Sequence, residues 1–146
     1  MRTTQGRYGQ GERRRQAVAE VRALLARLYR GFVWWGSLYE DADLAYEQER
    51  RREEIIGLLG ELSCNYLARS VWLEGGTRKK IERFIDKSED LYSEFYADIE
   101  ERGYTRARAG MTKRIRSKLG LLRKEAESDL KDEPDDPSQP RWRRRP

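Results

Sequence analysis

The sequence predicts an all-α fold, an antiparallel bundle of three or four helices with a long first helix, straight or kinked, and disordered termini. All four prolines lie in the last 13 residues, so nothing in residues 12–131 interrupts a helix in the way proline does. Apolar residues in this span recur every three or four positions, and no alternating strand pattern occurs. Glycines at 75, 76 and 103 mark the expected ends of helices.

The chain divides by composition into three parts. Residues 1–11 are rich in glycine and carry no apolar periodicity, which indicates a flexible basic arm. Residues 12–131 form a single α-helical domain, because a chain of 146 residues suits one domain. Residues 132–146 combine the four prolines with charge, which predicts a disordered tail rich in proline and arginine.

The first helix follows a heptad pattern. Its apolar positions are Val18, Val21, Leu25, Leu28, Phe32, Trp35, Tyr39, Ala42 and Tyr46. Glu49 and Glu53 occupy the next two positions, and a new apolar set begins at Ile55 in a different phase. We therefore expect a break or kink within 47–53; the alternative is a solvated bridge inside one longer helix.

The last two helices carry opposing blocks of charge. Gly75 and Gly76 predict a turn, with Thr77 as the cap of the following helix, and Gly103 predicts where that helix ends. Acids crowd its second half, whereas residues 104–124 hold eight bases and no acid. If the chain folds back at Gly103, these blocks lie side by side, and complementary charge then orients the hairpin.

Composition excludes several classes of function. The absence of histidine removes the imidazole base of Ser-His-Asp and Cys-His catalysis and any His-containing metal site. The single Cys64 excludes an internal disulfide and a multi-cysteine zinc site, and it fits a cytoplasmic protein. We expect no enzyme activity, no cofactor and no metal. No apolar stretch is long enough to span a bilayer, and contact with a membrane surface is not favoured.

The leading interpretation is a non-catalytic helical interaction or scaffold protein that binds another protein or itself. The most apolar segment, residues 31–39, supplies aromatic side chains at helical spacing. Trp34, Trp35 and Tyr39 are the predicted anchors for a protein partner or for a second copy of the chain.

The alternative is a nucleic-acid-binding accessory protein that uses its positive charge. Basic side chains on the last helix and in the terminal segment neutralise phosphates in this interpretation. The candidate residues are Arg106, Arg108, Lys113, Arg114, Arg116, Lys118, Arg123, Lys124, Arg143 and Arg144. The competing explanation for the basic last helix is the charge pairing of the hairpin.

Overall fold

A computed structural model describes residues 2–37 and 44–131 of the chain. The described residues form α1 (Arg2–Trp35), α2 (Leu44–Arg69), a 3₁₀ turn (Ser70–Trp72), α3 (Gly75–Arg102), α4 (Tyr104–Ala107), α5 (Met111–Ile115), a π-helical turn (Arg116–Gly120) and α6 (Leu121–Lys131). These two ranges contain no strand, so the all-α prediction is confirmed. The predicted tail at 132–146 lies outside the described residues.

The helices enclose one hydrophobic core. Helix α1 packs against α2 on one side and against α5 and α6 on the other, and α3 closes the bundle by contacting α2 and α6. The largest side chains with no solvent exposure are Trp35, Phe32, Phe84 and Phe95. Phe32 and Trp35 belong to α1, and Phe84 and Phe95 belong to α3, so this cluster joins the end of α1 to α3. Aromatic rings bury the most apolar area of any side chains, which makes the contact a large part of the core.

The first helix begins and ends at other positions than the sequence predicted. Helix α1 begins at Arg2, so the expected boundary at residue 12 falls inside it. It ends at Trp35, and α2 runs unbroken through 47–53, so the predicted break there is wrong. A Cβ on Gly36 would lie 2.7 Å from Cγ of Met111, so α1 ends where the chain passes α5 at close range.

The charged run at 47–54 is stable inside α2 because most of its ions pair along the helix. Glu47 pairs with Arg50 at 3.0 Å, and Glu49 pairs with Arg52. Both pairs are three residues apart, which places the two side chains on neighbouring positions of the helix surface. The run is therefore an internal segment of α2.

The hairpin of α3 with the C-terminal helices forms as the charge blocks predicted. Gly103 ends α3 with a φ of 84°, and its N–H donates to the carbonyl of Ile99 at 2.8 Å. Three ion pairs then join the two arms: Arg114 with Asp98 at 2.7 Å, Lys118 with Glu94 at 2.5 Å and Lys80 with Asp129 at 2.9 Å.

The start of α3 differs from the prediction. The helix begins at Gly75, with Glu74 as the residue that precedes it, so the two glycines are the first helical residues. Thr77 is buried and is not the cap. The turn that separates α2 from α3 lies at Ser70–Trp72 instead.

Candidate interaction surfaces

The outward side of α2 carries an apolar strip. We define the outer α2 face as Ile56, Gly60, Ser63 and Leu67, which recur at spacings of four, three and four residues. Ile56 is 45 % exposed and Leu67 is 74 % exposed. Ile56 and Leu67 share one side of α2, so they form an apolar strip along the helix. Val71, in the 3₁₀ turn that follows α2, is also 74 % exposed and lies just beyond the end of the strip.

This strip is poor in charge. Between Ile55 and Ala68 the only charged residue is Glu61, in a chain in which 39 % of the residues are charged. A Cβ added at Gly57 or Gly60 would have no atom within 4 Å, so the backbone is open to solvent there. The outer α2 face therefore presents aliphatic side chains around an accessible backbone, which suits close contact with another helix.

Sequence reasoning missed the outer α2 face. The heptad phase of the first helix passes through Glu49 and Glu53 and continues directly into Ile56 and Gly60. In α2, however, the core takes the neighbouring set Ile55, Leu58, Leu62 and Tyr66. The one signal in the sequence was the stretch after Glu54, in which Glu61 is the only charged residue before Arg69.

The predicted aromatic anchors have different environments. Trp35 has no solvent exposure, and its ring packs edge-on against Phe95 with centroids 4.5 Å apart. Tyr104 Oη also donates a hydrogen bond to the Trp35 carbonyl. Trp35 belongs to the core, so its predicted role as a partner anchor is wrong. Tyr39 lies outside the described residues.

Trp34 is half-buried and is held by arginines of α2. The guanidinium of Arg51 lies 4.1 Å from the centroid of the Trp34 ring, and that of Arg50 lies 5.2 Å away. Arg51 also donates a hydrogen bond to the Trp34 carbonyl. Burial lowers the pKa of Arg51. These contacts fix the indole at the surface by cation–π attraction.

A cleft opens beside Trp34, between α1 and α2. Its volume is about 210 Å³, and the residues that line it are Arg27, Arg30, Gly31, Trp34, Glu54 and Leu58. Arg27 and Arg30 are exposed, and neither forms an ion pair within the part of the chain that the structure describes. The cleft thus combines two available guanidinium groups with an aromatic wall and an aliphatic side chain.

A smaller pocket of about 80 Å³ lies on the other side of α2, near Tyr96 and Ile99. Arg52 crosses it, donating to Tyr92 Oη at 2.9 Å and lying 5.0 Å from the Tyr96 ring centroid. The hydrogen bond from Arg52 holds the pKa of Glu49 below its usual range. This arrangement fastens α2 to α3 and leaves little room for a ligand.

The basic residues of the C-terminal hairpin separate into two groups. Arg114, Lys118 and Arg123 pair with acids, and Arg123 also lies 4.4 Å from the centroid of the Tyr29 ring. Arg108 is half-buried. Of the candidate bases on the last helix, those that are exposed and form no ion pair within the described residues are Arg106, Lys113, Arg116 and Lys124. Arg143 and Arg144 lie outside the described residues.

Residues 2–37 and 44–131 hold no group of three or more Cys, Asp or Glu side chains that is placed to bind a metal ion. No helix in the same ranges is long and apolar enough to cross a membrane. Cys64 is a free, exposed thiol.

Comparison with known proteins adds no relative. No model of a protein family matches the chain, no curated protein matches it, and no solved structure matches it. The fold alone therefore defines its class, an all-α bundle, and a bundle by itself implies no activity.

Proposed function

We propose that this chain is a non-catalytic helical interaction protein that associates with a second copy of itself through the outer α2 face. The observation that carries the proposal is the exposure of Ile56 and Leu67 on a strip almost free of charge, with Val71 exposed just beyond its end. Fully burying an aliphatic side chain of this size contributes about 1.5–3 kcal/mol, so covering the strip is favourable.

An antiparallel arrangement of the two α2 helices fits the pattern of this face. When the strip packs on its own copy in opposite directions, Ile56 meets Leu67 of the second copy, and this contact occurs twice. Gly60 then meets Ser63 of the second copy at the centre, where small side chains let the two backbones approach closely. Symmetric pairing of one patch with itself is the commonest geometry of homodimers.

Charge also favours the antiparallel direction. A parallel pair would place Glu49 and Glu53 against their own copies, and like charges at close range repel. In the antiparallel pair these acids reach the far end of α2, where α3 begins. Two exposed bases, Arg78 and Lys79, lie there, and the Arg78 carbonyl is 3.5 Å from Tyr66 Oη. The antiparallel direction therefore separates these acids from their own copies.

Sedimentation equilibrium over a range of protein concentrations tests the association. We expect the wild-type chain to shift from monomer to dimer, and Leu67→Glu to remain monomeric because it buries an unpaired charge at the interface. Leu121→Glu is the matched control, since Leu121 is also a largely exposed leucine, 65 % exposed, on α6. The proposal fails if the wild type stays monomeric at millimolar concentration, or if both variants behave alike.

Nucleic-acid binding is the second candidate function, and four exposed bases support it. Arg106, Lys113, Arg116 and Lys124 are exposed and form no ion pair among the described residues, whereas Arg114 and Lys118 pair with acids of α3. Binding to a generic RNA or DNA should then weaken steeply between about 50 and 200 mM salt. Lys113→Gln with Arg116→Gln should reduce it, and absence of binding at the lower salt concentration excludes this function.

A further inference from the structure

The cleft beside Trp34 has features of a ligand site that the self-association does not use. It lies on the side of α2 that faces α1, whereas the outer α2 face points away from the bundle. Arg27 and Arg30 are three residues apart on α1, so their side chains are neighbours on the helix surface. Although Glu54 lines the same cleft, neither arginine forms an ion pair with it.

The wall of the cleft is fixed before any ligand arrives. Arg51 holds the Trp34 ring from α2 and bonds to the Trp34 carbonyl, so the indole has a defined position. Gly31 keeps α1 close to α2, because a Cβ at this position would lie 2.8 Å from Cδ1 of Ile55. A rigid wall lowers the entropy lost when a ligand binds.

We infer that this cleft binds a phosphomonoester that carries a planar apolar body, as a nucleoside monophosphate does. Two guanidinium groups offer paired N–H donors, and a phosphomonoester presents three acceptor oxygens and nearly two negative charges to them, whereas a carboxylate presents two oxygens and one charge. The Trp34 ring and Leu58 supply an apolar surface for the planar part. Glu54 accepts a hydrogen bond from a hydroxyl or amine on the planar body of the ligand. Inorganic phosphate has no such body, so this contact favours binding of the larger ligand.

Isothermal titration calorimetry with adenosine monophosphate at about 50 mM salt tests the site. We expect binding of adenosine monophosphate to be tighter than that of inorganic phosphate, and adenosine without phosphate to bind more weakly still. Arg27→Gln with Arg30→Gln should weaken binding about tenfold or more, since both charge-assisted contacts are lost. Arg22→Gln is the matched control, because Arg22 is an exposed arginine of α1 outside the cleft.

A second variant separates the two parts of the ligand. Trp34→Leu should weaken the binding of adenosine monophosphate and leave that of inorganic phosphate unchanged, because only the planar body contacts the ring. A 5′-phosphorylated oligonucleotide, compared with its 5′-hydroxyl form, distinguishes a nucleic-acid end from a free nucleotide as the source. The inference is overturned if no phosphorylated probe binds at a concentration of about 10 mM, which is on the order of the weakest useful affinity. It is also overturned if the double variant binds the probe like Arg22→Gln.

Discussion

Arg114 donates a 2.7 Å hydrogen bond to Asp98 and thereby joins the two arms of the C-terminal hairpin just beyond the turn at Gly103. This bond is the main reason that the pKa of Asp98 lies below its usual range, with Arg102 adding a smaller contribution. The contact lies where an acidic helix end meets a basic helix start, so it connects the charge pattern of the sequence to the direction of the fold.

A charge-swap experiment measures what this contact contributes. Asp98→Lys and Arg114→Glu should each lower the melting temperature slightly, because each leaves two like charges facing one another across the hairpin. The double variant should recover most of the loss, since the pair is restored with its signs exchanged. Thermal melts at about 0.1 and 1 M salt check the result, and the recovery should shrink at the higher salt concentration. If the melting temperature of the double variant falls by the sum of the two single losses, the pairing of Asp98 with Arg114 is contradicted.

Lowering the pH should remove the contribution of Asp98 to the free energy of unfolding. Because its pKa is lower in the folded state, the stabilisation is complete above the ordinary aspartate pKa of about 3.9 and is lost as the pH falls through the lower folded value. In urea unfolding between about pH 5 and pH 2, the free energy of unfolding should therefore fall less steeply with decreasing pH for Asp98→Asn than for the wild type. Equal slopes in the two proteins would show that the bond to Arg114 is not formed in solution.

The hairpin could be predicted from sequence because its determinants are close together in the chain. Gly103 and the charge blocks on either side of it lie within one segment, and charges that oppose each other along two helices specify their relative direction. The end of α1 could not be predicted in this way. It coincides with the contact of Gly36 with Met111, which belong to distant segments and meet only in the folded protein.

The candidate surfaces show the same limit. Trp34 and Trp35 are adjacent and chemically identical, yet Trp35 enters the core and Trp34 is held at the surface by Arg51. The spacing of apolar residues placed Trp35 in the apolar stripe. It could not show that the residues which continue this heptad phase in α2 lie on the outer α2 face and are exposed to solvent. That outcome depends on which side of α2 meets α1, and several phases of one helix can satisfy the periodicity.

Gly36 gives a sharp test of the end of α1. Gly36→Ala should lower the free energy of unfolding by about 1–3 kcal/mol, because the new methyl group would overlap Met111, whose Cβ is only 3.2 Å from that position. Gly57→Ala is the matched control in α2. It meets no atom within 4 Å and should stabilise the chain by about 0.5–1 kcal/mol through helix propensity.

Urea unfolding followed by circular dichroism measures both glycine variants. The protein concentration should be low, so that any effect of Gly57 on association does not enter the comparison. A neutral Gly36→Ala would show that α5 does not pass the end of α1 at the distance in the structure.

The two adjacent tryptophans should differ strongly when each is truncated. Trp35→Ala should cost about 3–5 kcal/mol, because it leaves a cavity between α1 and Phe95. Trp34→Ala should cost about 1 kcal/mol, since it removes a half-buried ring and its cation–π contact with Arg51. Denaturant unfolding of both variants checks this, with Trp35→Phe as a milder core change. Equal costs would contradict the assignment of Trp35 to the core and Trp34 to the surface.

The Tyr66 hydroxyl predicts how the bundle responds to alkali. Burial, together with a 2.7 Å hydrogen bond to the Glu82 carboxylate, raises the pKa of Tyr66 well above its ordinary value of about 10. Above that pH the unfolded chain loses this proton while the folded chain keeps it. The free energy of unfolding therefore falls as pH rises, by at most about 1.4 kcal/mol per pH unit from this group.

Tyr66→Phe isolates this alkaline effect. At neutral pH the variant should lose about 0.5–1.5 kcal/mol with the hydrogen bond to Glu82. Above about pH 10 its stability should decline less steeply than that of the wild type, because it has no hydroxyl proton to lose at this position, so the two curves approach one another. Urea unfolding from about pH 8 to pH 11 measures both slopes, with Tyr46→Phe, at a ring that is 68 % exposed, as the matched control. Parallel curves for the wild type and Tyr66→Phe would mean that the hydroxyl is not held between α2 and α3, and the contact that fastens the C-terminal end of α2 to α3 would have to lie elsewhere.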